Sequence, residues 1–157
     1  MKFCLAYKAF INRVRAMENQ ENISAVIETR TAKIFILNHN IVLNEEQPFT
    51  YSTLDDAIKT AEAINKIRSA GAWGIIVDIR NNKGISKDAR DYYALEKTFP
   101  ERIGIALLVD SYFSKVLANF FMGFSKPLIP TCLFNSREEA VEWLTELINQ
   151  AKMKAKI

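Results

Sequence analysis

Two short, almost wholly apolar runs, WGIIVDI at 73–79 and IGIALLV at 103–109, constrain the fold more than anything else in the chain. Each is too short for a buried helix and the right length for a strand covered on both faces. Between them, SKDARDYYALEKTF carries a helical pattern from Ser86 to about Lys97, stopped by Phe99-Pro100. Strand, helix and strand joined through a short polar loop make a βαβ unit, and therefore a parallel pair. A chain of 157 residues is long enough to complete one domain around it, burying roughly two thirds of the surface exposed when unfolded.

The flanking segments extend this unit. ISAVIETR (23–30) and KIFIL (33–37) are rich in β-branched and aromatic residues and predict an antiparallel pair at the sheet edge. The polar NHN and the irregular NEEQPFTYS follow. Thr53 and Asp56 then form a capping-box pattern, with Leu54, Ile58, Ala61 and Ile64 at helical spacing behind it. Beyond the second apolar run, Asp110 or Ser111 is placed to cap a helix whose stripe runs through Phe113, Val116 or Leu117, Phe120 or Phe121, and Phe124. Gly123 and Pro127 end it. IPTCLF is a last strand, with Pro130 at its start, and Ser136 with Glu139 opens a final helix through Ala140, Leu144 and Leu147. The predicted order is β-β-α-β-α-β-α-β-α, an α/β fold with one mixed sheet packed with about four helices. The expected boundaries are an N-terminal arm at 1–22, the domain at 23–150 and a fraying tail at 151–157.

Charge narrows the functional classes. The net charge is +3, but Lys2, Lys8, Arg13 and Arg15 supply four positive charges in an acid-free stretch. Without them the chain stands at −1, too little field to hold a phosphate backbone, so nucleic acid is not an expected partner. The arm itself, MKFCLAYKAFINRVRA, is interrupted by Lys8 before it reaches the length of a signal-peptide core. It has amphipathic spacing that suits either a membrane surface or packing on the domain, and Met17 opens a polar stretch that is an alternative start. No apolar run approaches the 18 residues of a membrane span. Cys4 and Cys132 are too few for a disulfide framework, which fits a reducing cytoplasm, and Cys132 reads as a small core residue. His39 is the only histidine, so a His-based metal site or catalytic triad is excluded and a turn role is expected.

An open α/β sheet places ligands at the carboxyl ends of its strands, which directs attention to DIRNNKGIS at 78–86. One glycine matches neither a P-loop nor a dinucleotide fingerprint. Arg80, Lys83 and the helix start at Ser86 nevertheless converge there, in a combination that suits a small anion or a basic surface. Asp78 and Asp110 end successive strands and could hold Mg²⁺, but the acidic pair such a centre needs on the first strand is replaced by NHN. On the helix, Arg90 pairs with nearby acids, while Tyr92 and Tyr93 cannot both face inward, leaving one to pack and the other to line a surface.

The segments GIIVDIRNNKGISKDARDYYA, IALLVDSYFSKVLANFFMGFSKPLIPTCLF and SREEAVEWL together resemble a bacterial family of small uncharacterised STAS-like domains. The likeness covers about residues 23–149 and is most specific from Ser114 to Leu144. It implies the fold shared by anti-sigma factor antagonists and the cytoplasmic tails of sulfate transporters, a non-catalytic module without cofactor or metal. In the antagonists a phosphorylatable serine opens the helix after the strand that ends in Asp. Aligning Asp78 with that aspartate puts Lys87 or Asp88 at the acceptor position, with Ser86 offset by a residue or two.

The expected role is therefore a cytoplasmic binding or regulatory domain, a homodimer that contacts an unidentified protein partner through Arg80, Lys83, Ser86, Arg90, Tyr92 and Tyr93. The alternative is a carrier of a lipid or small apolar ligand, since STAS-like folds resemble lipid-binding CRAL-TRIO domains and the stripe Phe113, Phe120, Phe121 and Phe124 could wall a groove.

Overall fold

The computed structural model describes residues 23–37, 40–110 and 129–155. Along these the elements are β1 (Ile23–Glu28), β2 (Ala32–Leu37), β3 (Ile41–Glu46), β4 (Tyr51–Ser52), α1 (Leu54–Ile67), β5 (Trp73–Asp78), β6 (Gly84–Ile85), α2 (Lys87–Ala94), a single 3₁₀ turn (Glu96–Thr98), β7 (Arg102–Leu108), β8 (Thr131–Phe134) and α3 (Arg137–Lys154). The main sheet has the order β1-β2-β3-β5-β7-β8, and β4 with β6 forms a separate parallel pair. The N-terminal arm, His39 and the expected helix with Phe113, Phe120, Phe121 and Phe124 lie outside the described residues.

The mixed α/β sheet is as expected, with β1 and β2 antiparallel at its edge and β5, β7 and β8 parallel. Its pivot, however, is a strand the sequence did not announce. β3 runs antiparallel to β2, with Ile34 opposite Asn44, and parallel to β5, with Leu43 opposite Ile76. Only Ile41, Val42 and Leu43 are apolar before Asn44-Glu45-Glu46, so the segment has neither a long apolar run nor a clean alternation. Pairing on both sides makes it a strand in spite of that. Three long strands thus precede α1 among the described residues, instead of two.

Helices cover both faces, each over its own core. On one, α3 lays Ala140, Leu144 and Ile148 against Leu37, Leu43, Ile76, Ala106 and Leu108. Gly74 and Gly104, opposite each other in β5 and β7, open the slot for Leu144. A Cβ at either would fall 2.7 and 2.9 Å, respectively, from Leu144 Cδ2. On the other face, Ala61 and Ile64 of α1 join Ala32, Ile34, Val42, Trp73, Ile75 and Phe99.

The helix ends follow local chemistry. The Thr53–Asp56 box forms in both directions, with Thr53 Oγ1 accepting from Asp56 N and Asp56 Oδ2 accepting from Thr53 N. Ser86 caps α2, its Oγ accepting from Ala89 N at 3.3 Å. That helix ends at Ala94, short of Lys97, because Leu95 adopts an extended conformation and the Thr98 hydroxyl donates to Tyr92 O at 2.7 Å, fixing the 3₁₀ turn. At Ser136 the described cap bond is the forward half, from Glu139 N to Ser136 Oγ at 3.2 Å. α3 continues through Lys154, into the segment expected to fray.

Candidate functional site

The parallel direction of β3, β5 and β7 brings Glu46, Asp78 and Leu108 to the same end of the sheet. At the β5 and β7 corner, Ile79, Arg80, Asn82, Val109 and Asp110 line a cavity of about 30 Å³, room for a water or two rather than an organic ligand. Arg80 is committed there. Its Nε donates to Asp78 Oδ1 at 2.9 Å and its Nη2 to Oδ2 at 2.6 Å, a bidentate pair with a buried carboxylate. The pairing, led by these hydrogen bonds, raises the Arg80 pKa. It also uses both oxygens of Asp78, the residue a Mg²⁺ centre would require. Among the described residues no group of three or more His, Cys, Asp or Glu is placed to hold a metal ion.

The loop beyond is organised by the small β4–β6 pair. Phe49 N donates to Asn81 O at 2.9 Å, Lys83 N to Thr50 O at 2.8 Å and Ser86 N to Ser52 O at 2.9 Å, so residues 49–52 are strapped along residues 81–86. Gly84 takes φ +136°, where an L side chain is strained, and the Tyr51 ring lies beside it. Two aromatic side chains consequently face outward: Phe49 is 77% exposed and Tyr51 51% exposed. Phe49 does so at φ 62°, a left-handed conformation unusual for a bulky residue.

The sequence-derived residues divide between this surface and the core. Lys83 is exposed and Ser86 half-buried beside the strap, and the Ser86 hydroxyl donates to the Asp88 carboxylate. That bond is the largest cause lowering the Asp88 pKa. Arg90 reaches back to Ile85 O at 3.5 Å. Tyr92 and Tyr93 are both half-buried and pack on the core that contains Trp73 and Phe99. The Tyr93 ring stacks on Phe99 at 5.8 Å and 22°. Burial first, then the neighbouring Glu46 carboxyl, pushes its phenol well above the ordinary value.

Behind the strap is a polar cluster that the sequence did not reveal. On the α1 side of β3, Asn44 is 4% exposed, and Ser52, Asp56 and Thr60 are likewise buried. Asn44 Nδ2 donates to Glu46 Oε1 at 2.9 Å, and Ser52 Oγ lies 3.5 Å from Glu46 Oε2. Asn44 Oδ1 is buried without a partner. Burial pushes the Glu46 carboxyl up to about 7 against the pull of these two donors, with the Asp56 charge adding to the rise. Asp56 itself is held far below the ordinary range, chiefly by its hydrogen bonds from Arg30, one of them from Nε at 2.7 Å. The available signal was faint: two acids closing an apolar triplet, then Phe and Tyr two residues apart after Pro48.

Comparison with known proteins adds a family. The family model described as Domain of unknown function (DUF7793) matches residues 35–148. No curated protein matches the chain. Among solved structures, an uncharacterized protein from the DUF3478 family with a SpoIIAA-like fold, from Shewanella loihica PV-4, is similar at 16% identity and a TM-score of 0.46. The match covers 82% of this chain and 98% of that one.

Proposed function

For this chain, which belongs to the family described as Domain of unknown function (DUF7793), we propose a non-catalytic binding or regulatory role exerted through protein–protein contact. The contact face comprises Phe49, Tyr51, Lys83, Ser86 and Arg90. Phe49 carries this reading: a large apolar side chain stands 77% exposed on a left-handed residue that the strap holds in place. Holding an L residue in that region costs about 1–2 kcal/mol, and such strain is retained most often where function uses it. Exposed aromatic side chains on an ordered scaffold are also the anchors that dominate binding energy at protein interfaces. With exposed Lys83 beside Tyr51 and the Arg30 side chain 61% exposed on the other side, the complementary partner has an apolar recess edged by carboxylates.

The proposed setting is the cytoplasm. No helix among the described residues is long and apolar enough to cross a membrane. A second copy of the chain is one partner that the same face could take. The carrier alternative depends on Phe113, Phe120, Phe121 and Phe124, which lie outside the described residues.

Phe49→Gly tests the reading because it separates contact from folding. Glycine adopts φ 62° without penalty, so the variant should match the native chain in stability to within about 1 kcal/mol. Affinity purification of the tagged full-length chain should return a stoichiometric protein, or a second copy, whose binding to Phe49→Gly is at least about tenfold weaker. An unchanged affinity with unchanged stability would remove Phe49 from any interface and contradict the proposed face.

A further inference from the structure

The carboxyl end of the sheet gathers three carboxylates around one guanidinium. Glu45 stands opposite Asp78 in the parallel register of β3 and β5, and Asp78 stands opposite Leu108 of β7, two residues before Asp110. Arg80 pairs with Asp78, and the charges of Asp110 and Glu45 act on it as well. That pairing takes both oxygens of Asp78. Glu45 and Asp110 are exposed, and no described Lys or Arg forms an ion pair with either. Negative charge is therefore in excess at this end, and a second cation is favoured there.

The cavity at the β5 and β7 corner lies within this excess. Asp110, Asn82 and Arg80 supply its polar lining, and Ile79 and Val109 its apolar lining. Backbone hydrogen bonds fix its walls: Asn82 N donates to Ile79 O at 3.4 Å, Ile79 N to Leu108 O at 3.2 Å and Val109 N to Phe134 O at 3.0 Å. A volume of about 30 Å³ admits a water-sized group. An ammonium head has that size, whereas a planar guanidinium is larger. A divalent ion is poorly served, because it needs several oxygen ligands and Asp78 has given both of its own to Arg80.

We propose that this cavity receives the ammonium group of a lysine side chain presented by a partner protein. The ammonium donates to the Asp110 carboxylate and the Asn82 carboxamide oxygen, and the lysine methylenes lie along Ile79 and Val109. The lysine belongs to the partner of the protein-contact reading, on which this inference rests. Asn82 directly follows Asn81, whose carbonyl accepts the Phe49 amide at 2.9 Å, so the cavity adjoins the strap that presents Phe49. The contact face thereby combines an aromatic anchor that it offers with a charged anchor that it accepts.

n-Butylammonium, a lysine side chain without its backbone, tests the cavity by itself. In ¹H–¹⁵N NMR of the full-length protein at low salt it should give saturable shifts at the Asn82 side chain and at the Val109 and Asp110 amides. Tetramethylammonium, equally charged but larger and without N–H donors, should give none. Asp110→Asn should weaken the butylammonium response at least about fivefold, and should that variant fold poorly, the native response to the two ions decides. Equal shifts with both ions, or a response that survives Asp110→Asn, would overturn the ammonium site. The protein captured by the tagged chain should in turn bind Asp110→Asn about tenfold more weakly, and acetylating its lysines should cost it a similar factor. A captured protein that needs Phe49 but is indifferent to Asp110→Asn would overturn the lysine anchor and leave the contact face standing. Butylammonium binding by a chain that captures no protein would overturn the partner and make a free amine the occupant.

Discussion

Replacing Trp73 with alanine will destabilise the fold by about 3–5 kcal/mol, the range for deleting a large buried aromatic side chain. Trp73 is 0% exposed at the start of β5, where three kinds of contact meet. Its ring lies edge-on to Phe99 at 5.9 Å and 71°. The Arg68 guanidinium sits 5.5 Å from its centroid, and Nε1 donates to Pro100 O at 2.8 Å. Alanine removes all three and leaves a void among Ile34, Ile64 and Ile75, which share that core. Urea denaturation checks this through a lower midpoint at constant slope. Should Trp73→Ala fail to fold, Trp73→Phe, which keeps a ring but loses the donor, should cost about 1–2 kcal/mol. A loss below about 1 kcal/mol for the alanine variant would mean that this face of the sheet is not a packed core.

Asp56→Ala should cost about 1–2 kcal/mol, because it removes the N3 half of the α1 capping box and leaves the Thr53 amide and hydroxyl without their acceptor. Asp56 Oδ2 accepts from Thr53 N at 3.0 Å and from Thr53 Oγ1 at 2.7 Å, while the carboxylate also holds Arg30. The Arg30 side chain is 61% exposed, so solvent screens the ion pair and most of the loss comes from the cap. The two acids of this region then give stability opposite dependences on pH. Asp56 is depressed, so its contribution is complete above its unfolded value, about 3.9, and disappears as acidification carries pH through the folded value. Glu46 is raised to about 7. Its contribution is complete below its unfolded value, about 4.3, and is lost as pH rises through 7. In thermal melts, Asp56→Ala should lie furthest below the native chain near neutrality and converge with it in acid. A gap that stays constant down to pH 2 would refute the assignment.

The βαβ unit was legible because its strands are buried on both faces, which leaves an apolar run that depends on no partner's identity. The caps at Thr53 and Ser86 were legible because a cap is chemistry between neighbours in sequence. β3 was not, since half of it is Asn44-Glu45-Glu46 and only pairing with β2 and β5 makes it a strand. The same cause hid the candidate site. Glu46 acquires its character from Ser52, Asp56 and Tyr93, which approach from β4, α1 and α2. Exposure is likewise a property of the assembled surface: Phe49 falls in the irregular NEEQPFTYS segment, where no pattern assigns it a face, and stands in solvent in the fold. Tyr92 and Tyr93 show the converse, for the 3₁₀ turn behind them brings Phe99 under Tyr93 and leaves both rings half-buried.

The contact face can be tested in the cell without knowing the partner. A photo-crosslinking amino acid placed at Tyr51, beside Phe49, is compared with the same residue at Asn149, an exposed position on α3 and so on the other face of the sheet. The predicted result is a discrete protein adduct, or a crosslinked dimer, from position 51 and not from 149, and its disappearance when Phe49→Gly is added. Adducts from 149 alone, or none from 51 in a folded and expressed protein, would contradict a binding role for this face.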